Sequence, residues 1–194
     1  MANQDAPNGF SVVGTLDGSD YHGKLQNVCF LAADSTDTFI GDAVKITGSG
    51  STDGQYPSVA QCAAGDRAYG VLVSLEPDFS DEGTLSAANY RRASTLRFGK
   101  VMPFDSGIFS IQEDSVGGAL AVTDIGNNID VIVGSGNTNT GRSGMELDSS
   151  TADTTNTLVF RILQLDPVVG NAVGTNANWL VTGNLTNLNN TTGV

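Results

Sequence analysis

Apolar residues along this chain come in short runs divided by Gly, Asn and Asp, with no long stretch at helical spacing. The runs predict strands at Phe10–Thr15, Gln26–Ala32, Ala43–Thr47, Ala68–Leu75, Thr95–Phe104, Ile108–Gln112, Ile129–Val133, Thr157–Leu165 and Asn178–Thr182. Several alternate in the way a half-buried strand must. Val71 and Val73 share one face, Leu72 and Ser74 the other. Leu158–Leu165 is apolar except at Arg161 and Gln164, which predicts a central strand packed on both faces. Helix signals are weak: a turn or two over Ala119–Ile125, ended by Gly126, and another turn over Gly144–Ser149. There are no heptads and no clean internal repeat.

Composition agrees with this pattern. The chain has 194 residues, 24 of them Gly, and only 15% are charged, so the bulk of Glu, Lys and Arg that long helices need is missing. The expected fold is all-β, a small β-barrel or sandwich with Gly-Asp turns and little helix. Residues 1–9, broken by Pro7 and Gly9, read as an extended N-terminal arm. Residues 10–182 read as one β-rich domain, and the Asn/Thr-rich stretch 183–194 as a polar tail. The tracts Gly48–Gly54 and Gly134–Gly141 read as flexible loops by composition. Residues 76–165 either complete a barrel begun upstream or form a second lobe.

A formal net charge of -12, with lysine only at Lys24, Lys45 and Lys100, argues against nucleic acid and against anionic lipid as partners. Met1 is followed by a polar run through Asn8, which lacks the basic start and apolar core of a secretory signal. No window approaches the roughly 20 apolar residues of a membrane helix. Synthesis in a cytoplasm is expected. Cys29, inside Val28–Leu31, reads as a buried strand thiol, and a reducing compartment disfavours a bond from it to Cys62.

Candidate chemistry is sparse. His22, the only histidine, sits in a polar turn with no nucleophile elbow to serve. Zinc would need more His and Cys ligands than the chain holds. Glu76/Asp78, Asp81/Glu82 and Glu113/Asp114 are the carboxylate pairs a glycan hydrolase would use, but each lies in a loop or at a strand edge, where solvated turn charges are common. Asp34–Thr38 and Asp148–Asp153 crowd oxygen ligands together without the calcium-loop pattern, and ordinary Asx turns account for them. No P-loop or dinucleotide fingerprint is present. No catalytic residue, metal or cofactor is expected. Tyr90–Arg97 is the one basic cluster; it is either a solvated strand edge or a contact with an acidic surface.

The most informative segment is Gly41–Leu75. Gly41-Asp42-Ala43-Val44 opens it, Ala64-Gly65-Asp66 follows a variable loop, and Gly70-Val71 begins its last strand. Each Gly-Asp supplies a turn feeding a strand, and Gly70 implies a bulge or a close strand approach. This order resembles the small-barrel decoration (cement) proteins of tailed bacteriophage heads. The opening Met1–Phe10, Tyr90–Thr95, Ser143–Thr151, Leu158–Leu165 and Asn176–Val181 are similar to segments of tailed-phage virion proteins. Such decoration proteins are often little longer than the barrel, so the residues beyond about 76 depart from that pattern.

The resemblance implies a non-enzymatic role. The chain would bind the outer surface of the major capsid protein lattice and stabilise the mature head, as a homotrimer, on particles made in a bacterial cytoplasm. The residues expected to touch the capsid or a neighbouring subunit are Asn3, Gln4, Asp5, Pro7 and Phe10 in the arm, and Tyr90, Arg91, Arg92 and Arg97 in the basic cluster. The alternatives are a tail or baseplate component, or a module contacting host glycans through an aromatic groove. A virion-associated glycan hydrolase is a third reading.

Overall fold

The computed structural model describes residues 3–77, 89–189 and 193–194. Its architecture is all-β, as the apolar pattern predicts. Five strands close into a barrel in the order β2 (Gln26–Phe30), β5 (Pro57–Gln61), β4 (Ala43–Gly50), β6 (Gly70–Leu75) and β8 (Arg97–Pro103). The β2–β5 contact is parallel and the other pairings are antiparallel. A six-stranded antiparallel sheet runs β1 (Ser11–Thr15), β9 (Gly107–Gln112), β13 (Asn178–Gly183), β12 (Phe160–Leu165), β10 (Asn128–Ile132) and β11 (Glu146–Asp153). A small ladder joins β3 (Thr38–Phe39) to β7 (Tyr90–Arg91). Among the described residues the helical elements are two 3-10 turns, Tyr21–Lys24 and Val122–Asp124, and no helix is long and apolar enough to cross a membrane.

Period-two alternation explains how barrel and sheet are joined. In β4, Val44 points into the barrel while Ala43 faces the sheet; in β6, Leu72 points in while Val71 faces out; in β8, Val101 points in while Met102 faces out. Val28, Phe30, Val59 and Tyr69 complete the barrel lining. The outward residues join Phe104, Phe109, Ile111, Ile129, Leu147, Phe160, Ile162, Trp179 and Val181 in one larger core between barrel wall and sheet. Phe104 is central to it, with its ring 5.3 Å from Phe10, 4.7 Å from Phe109 and 4.8 Å from Phe160. Such tilted and edge-on contacts each add about 0.5–1.5 kcal/mol beyond burial. The described residues of 76–165 therefore divide: β7 pairs with β3, β8 closes the barrel, and β9 to β12 belong to the sheet.

Both Gly-Asp turns form. Gly41 takes a φ of 95°, and the Asp42 carboxylate accepts from Phe39 N and Gln61 Nε2, each at 2.9 Å. Gly65 has a φ of 74°, and Asp66 accepts from Ala63 N at 2.8 Å and Lys45 Nζ at 2.7 Å. Gly70 marks a close approach: a Cβ there would lie 2.5 Å from the Met102 carbonyl oxygen.

Five expectations change. Gly48, Ser49 and Gly50 belong to β4 instead of to a flexible loop, with Gly50 paired to Pro57. Gly144–Ser149 is no helical turn, because most of it belongs to β11, where Leu147 is buried beside the preceding Met145 while Glu146 and Asp148 lie at the half-exposed surface. Leu158–Leu165 is central in its sheet but packs chiefly through one face, with Phe160 and Ile162 buried and Arg161 and Gln164 exposed. Gly134–Gly141 is hydrogen-bonded rather than loose: Asn137 N donates to Arg142 O, Ile40 N to Gly141 O, and Gly136 lies against the Phe39 ring. The polar tail also docks through residue 189. Ala68 N donates to Leu185 O, Asn187 N to Ala68 O, and Ile46 N to Asn187 Oδ1 at 3.0 Å.

Candidate interaction surface

Residues 3–9 lie along the end of the sheet instead of projecting from it. Asn3 Nδ2 donates to Ala172 O at 2.7 Å and Thr175 O at 2.9 Å, and its Oδ1 accepts from Ala172 N at 3.0 Å. Gln112, at the end of β9, holds the segment from beneath. Its Oε1 accepts from Ala6 N at 2.9 Å, and its Nε2 donates to Gln4 O and Asn176 O. The segment then turns at Gly9 and sends Phe10 into the core, where it is 3% exposed.

Tyr90–Arg97 serves as an internal brace. Arg91 is fully buried and spends its guanidinium on backbone carbonyls. Nε donates to Thr95 O at 3.1 Å, Nη1 to Thr36 O at 2.5 Å, and Nη2 to Leu31 O and Asp34 O at 2.7 and 2.9 Å. It also pairs with Asp34 Oδ2 at 3.2 Å and sits over the Phe30 ring. Arg97 is buried, and its Nε and Nη2 donate to Glu76 O. Tyr90 stacks on Phe39 at 4.9 Å. Burial thus withdraws Phe10, Arg91 and Arg97 from the surface where contact was expected. Gln4 and Asp5 are exposed, and Asn3, Pro7, Tyr90 and Arg92 half-buried. Alternating burial cannot be read for a strand as short as β7, which is why Arg91 passed for a surface charge.

The carboxylates mostly tie loops. Glu113 is buried, accepting from Leu120 N at 2.7 Å and from Ser115 Oγ, and burial pushes its carboxyl up. Asp114 Oδ1 accepts from Val116 N, Ser149 N and Ser149 Oγ. Asp78, Asp81 and Glu82 lie outside the described residues. A group not foreseen from the sequence is Glu146. Burial, with the charges of Asp5 and Asp114 beside it, pushes its carboxyl up to about 7. The three are far apart in sequence and act on one another only through the fold, so no spacing could have announced the effect.

The remaining candidates form local structure. Asp20 caps the first 3-10 turn, and His22 Nδ1 lies 2.7 Å from its carboxylate in an exposed position. Asp34 and Asp148 form Asx turns with Thr36 N and Ser150 N. Cys29 and Cys62 are free and buried, and burial pushes the Cys62 thiol up to about 12. Among the described residues no three His, Cys, Asp or Glu side chains gather as metal ligands.

The fold defines an all-β protein in which the outer wall of a closed barrel packs on an antiparallel sheet across one core while the barrel encloses a second. No family model, curated protein or solved structure matches the chain.

Proposed function

We propose that the chain is a non-enzymatic decoration protein of a tailed-phage head, binding the outer face of the major capsid protein lattice as a homotrimer and stabilising the mature shell. The observation that carries this reading is the stretch Gly41–Val73. Its motif order resembles the small-barrel decoration proteins, and the same stretch supplies β4, β5 and most of β6, three of the five strands of a closed barrel. A cement protein acts by contact area that must be given up before the shell opens, so mass action favours the intact lattice. A stiff body suits this work. Arg91 braces its loops from within and segment 3–9 is already docked, so little conformational entropy is lost on binding. Repetition of modest contacts through an oligomer then multiplies their effect.

Antibody-gold labelling of intact particles tests the assignment. Gold spread over the head is the expected result. Gold confined to the tail overturns it in favour of a tail or baseplate role. Light scattering of the purified chain tests the trimer.

A further inference from the structure

Barrel and sheet are sewn together at one end and part at the other. Phe10 N donates to Gly41 O at 2.8 Å, Gly41 N to Leu72 O at 2.9 Å and Ser143 N to Ile40 O at 2.9 Å. Beyond this seam a cleft of about 160 Å³ opens, lined by Val12 of β1 and Val73 of β6, by Tyr21 and Ile40, and by Arg142. A second cleft of about 300 Å³ shares Ile40, Val73 and Arg142 and continues along β6 to Leu75.

Two properties distinguish this slot. The first is that two strand edges border it. β1 is the terminal strand of its sheet and pairs only with β9. The ladder between β4 and β6 covers only Gly70 and Val71 of β6, so Ser74 and Leu75 pair with β8 alone and Val73 falls at a break in that register. Unpaired strand edges are templates for another strand. The second is charge. Lys24, Lys45 and Arg91 each pair with an aspartate, and Arg161 Nε and Nη2 donate to Asn128 Oδ1 and Asn184 Oδ1. Arg142 is exposed, and among the described residues its guanidinium has neither an ion pair nor a hydrogen bond. In a chain of net charge -12, this is an arginine fork left open beside an apolar floor. Such a fork matches a carboxylate.

We infer that this slot takes an extended, acid-bearing segment of the capsid chain. The segment adds as a strand beside β1, lays aliphatic side chains over Val12 and Val73, and sets a carboxylate on Arg142. The inference rests on the proposed role at the head surface and names the contact that role needs.

The test is co-sedimentation of the full chain with phage heads lacking it, comparing wild type, Arg142→Glu and Arg161→Glu. Arg161 is an exposed cation on β12 that lines neither cleft. Arg142→Glu is expected to bind at least tenfold more weakly and to melt like wild type. Arg161→Glu should stay within twofold. Hydrogen exchange on the wild-type complex should slow at Ser11–Val13 and Val73–Leu75. Equal binding by Arg142→Glu and wild type, without that protection, overturns the slot and leaves the decoration role standing. Failure of wild type to bind heads overturns both. Loss of self-association in Arg142→Glu with head binding intact makes a second copy the occupant and overturns the capsid assignment.

Discussion

The two cores of this molecule are built from different residues. The barrel lining is mainly aliphatic, with Val28, Val44, Val59, Leu72 and Val101 around Phe30 and Tyr69. The layer between barrel and sheet holds Phe10, Phe104, Phe109, Phe160 and Trp179 together with two methionines. A closed ring of five strands leaves a narrow interior, which short branched side chains fill. Two surfaces packed face to face stand about 10 Å apart, and large rings bridge that gap. Because β4, β6 and β8 contribute to both cores on alternate residues, neither can be lost without exposing the back of the other. The difference in composition marks two geometries within one cooperative unit.

Cutting the shared layer should have the largest effect. Phe104→Ala removes the ring that touches Phe10, Phe109 and Phe160, and should cost about 3–5 kcal/mol in urea unfolding. It should do so in a single transition seen alike by tryptophan fluorescence and far-UV circular dichroism. Two transitions would mean that the barrel survives alone and that the cores are separable. Arg91→Met should cost about 3 kcal/mol or more, because it takes the guanidinium from the Thr36 and Thr95 carbonyls, removes one of two donors from those of Leu31 and Asp34, and leaves the Asp34 carboxylate without its ion-pair partner. This loss falls on the barrel's loops and leaves the aromatic layer intact, so near-UV signals from Trp179 should persist below the transition.

Leu72→Ala should cost about 2–5 kcal/mol and Val71→Ala somewhat less. Since these neighbours face opposite cores, their double variant should be additive within about 0.5 kcal/mol. A larger coupling energy would show that the two cores sense each other through the β6 backbone. The smallest effect belongs to Glu146. Its folded carboxyl sits at about 7, above the ordinary glutamate value, so the stability it contributes is complete at low pH and is lost as pH rises through about 7. The urea midpoint of wild type should therefore fall between pH 5 and pH 7.5 by more than that of Glu146→Gln. Equal slopes would remove Glu146 from the account.

The nine predicted strands all occur, with ends moved by a few residues, because each carries enough apolar alternation to identify itself. The strands that were missed lack that signal. β3 and β7 have two residues each, too few for any period, β5 opens on Pro57 and offers only Val59 and Ala60 as apolar positions after it, and β11 follows Met145–Leu147 with the polar run Asp148-Ser149-Ser150-Thr151. The Gly-Asp turns were legible because their chemistry is local. The docking of residues 3–9 was not. It depends on Gln112, Ala172 and Thr175, more than a hundred positions away, and the polar composition that suggested a free arm is the same composition that supplies its hydrogen bonds. Arg142 shows the same limit in reverse, since being unpaired depends on where every carboxylate lands.

The place of β13 governs how the protein can be made. Among the described residues this strand is the last in chain order, yet it lies between β9 and β12 in the interior of the sheet. Until a ribosome has delivered Asn178–Gly183, every nascent chain carries two sheet fragments with facing edges and nothing to join them. Such fragments pair readily with their counterparts on neighbouring polysomes. Premature termination ahead of residue 178 should therefore yield insoluble material instead of a smaller soluble barrel. A cell producing this chain in quantity would gain from translation that does not pause over Asn178–Gly183.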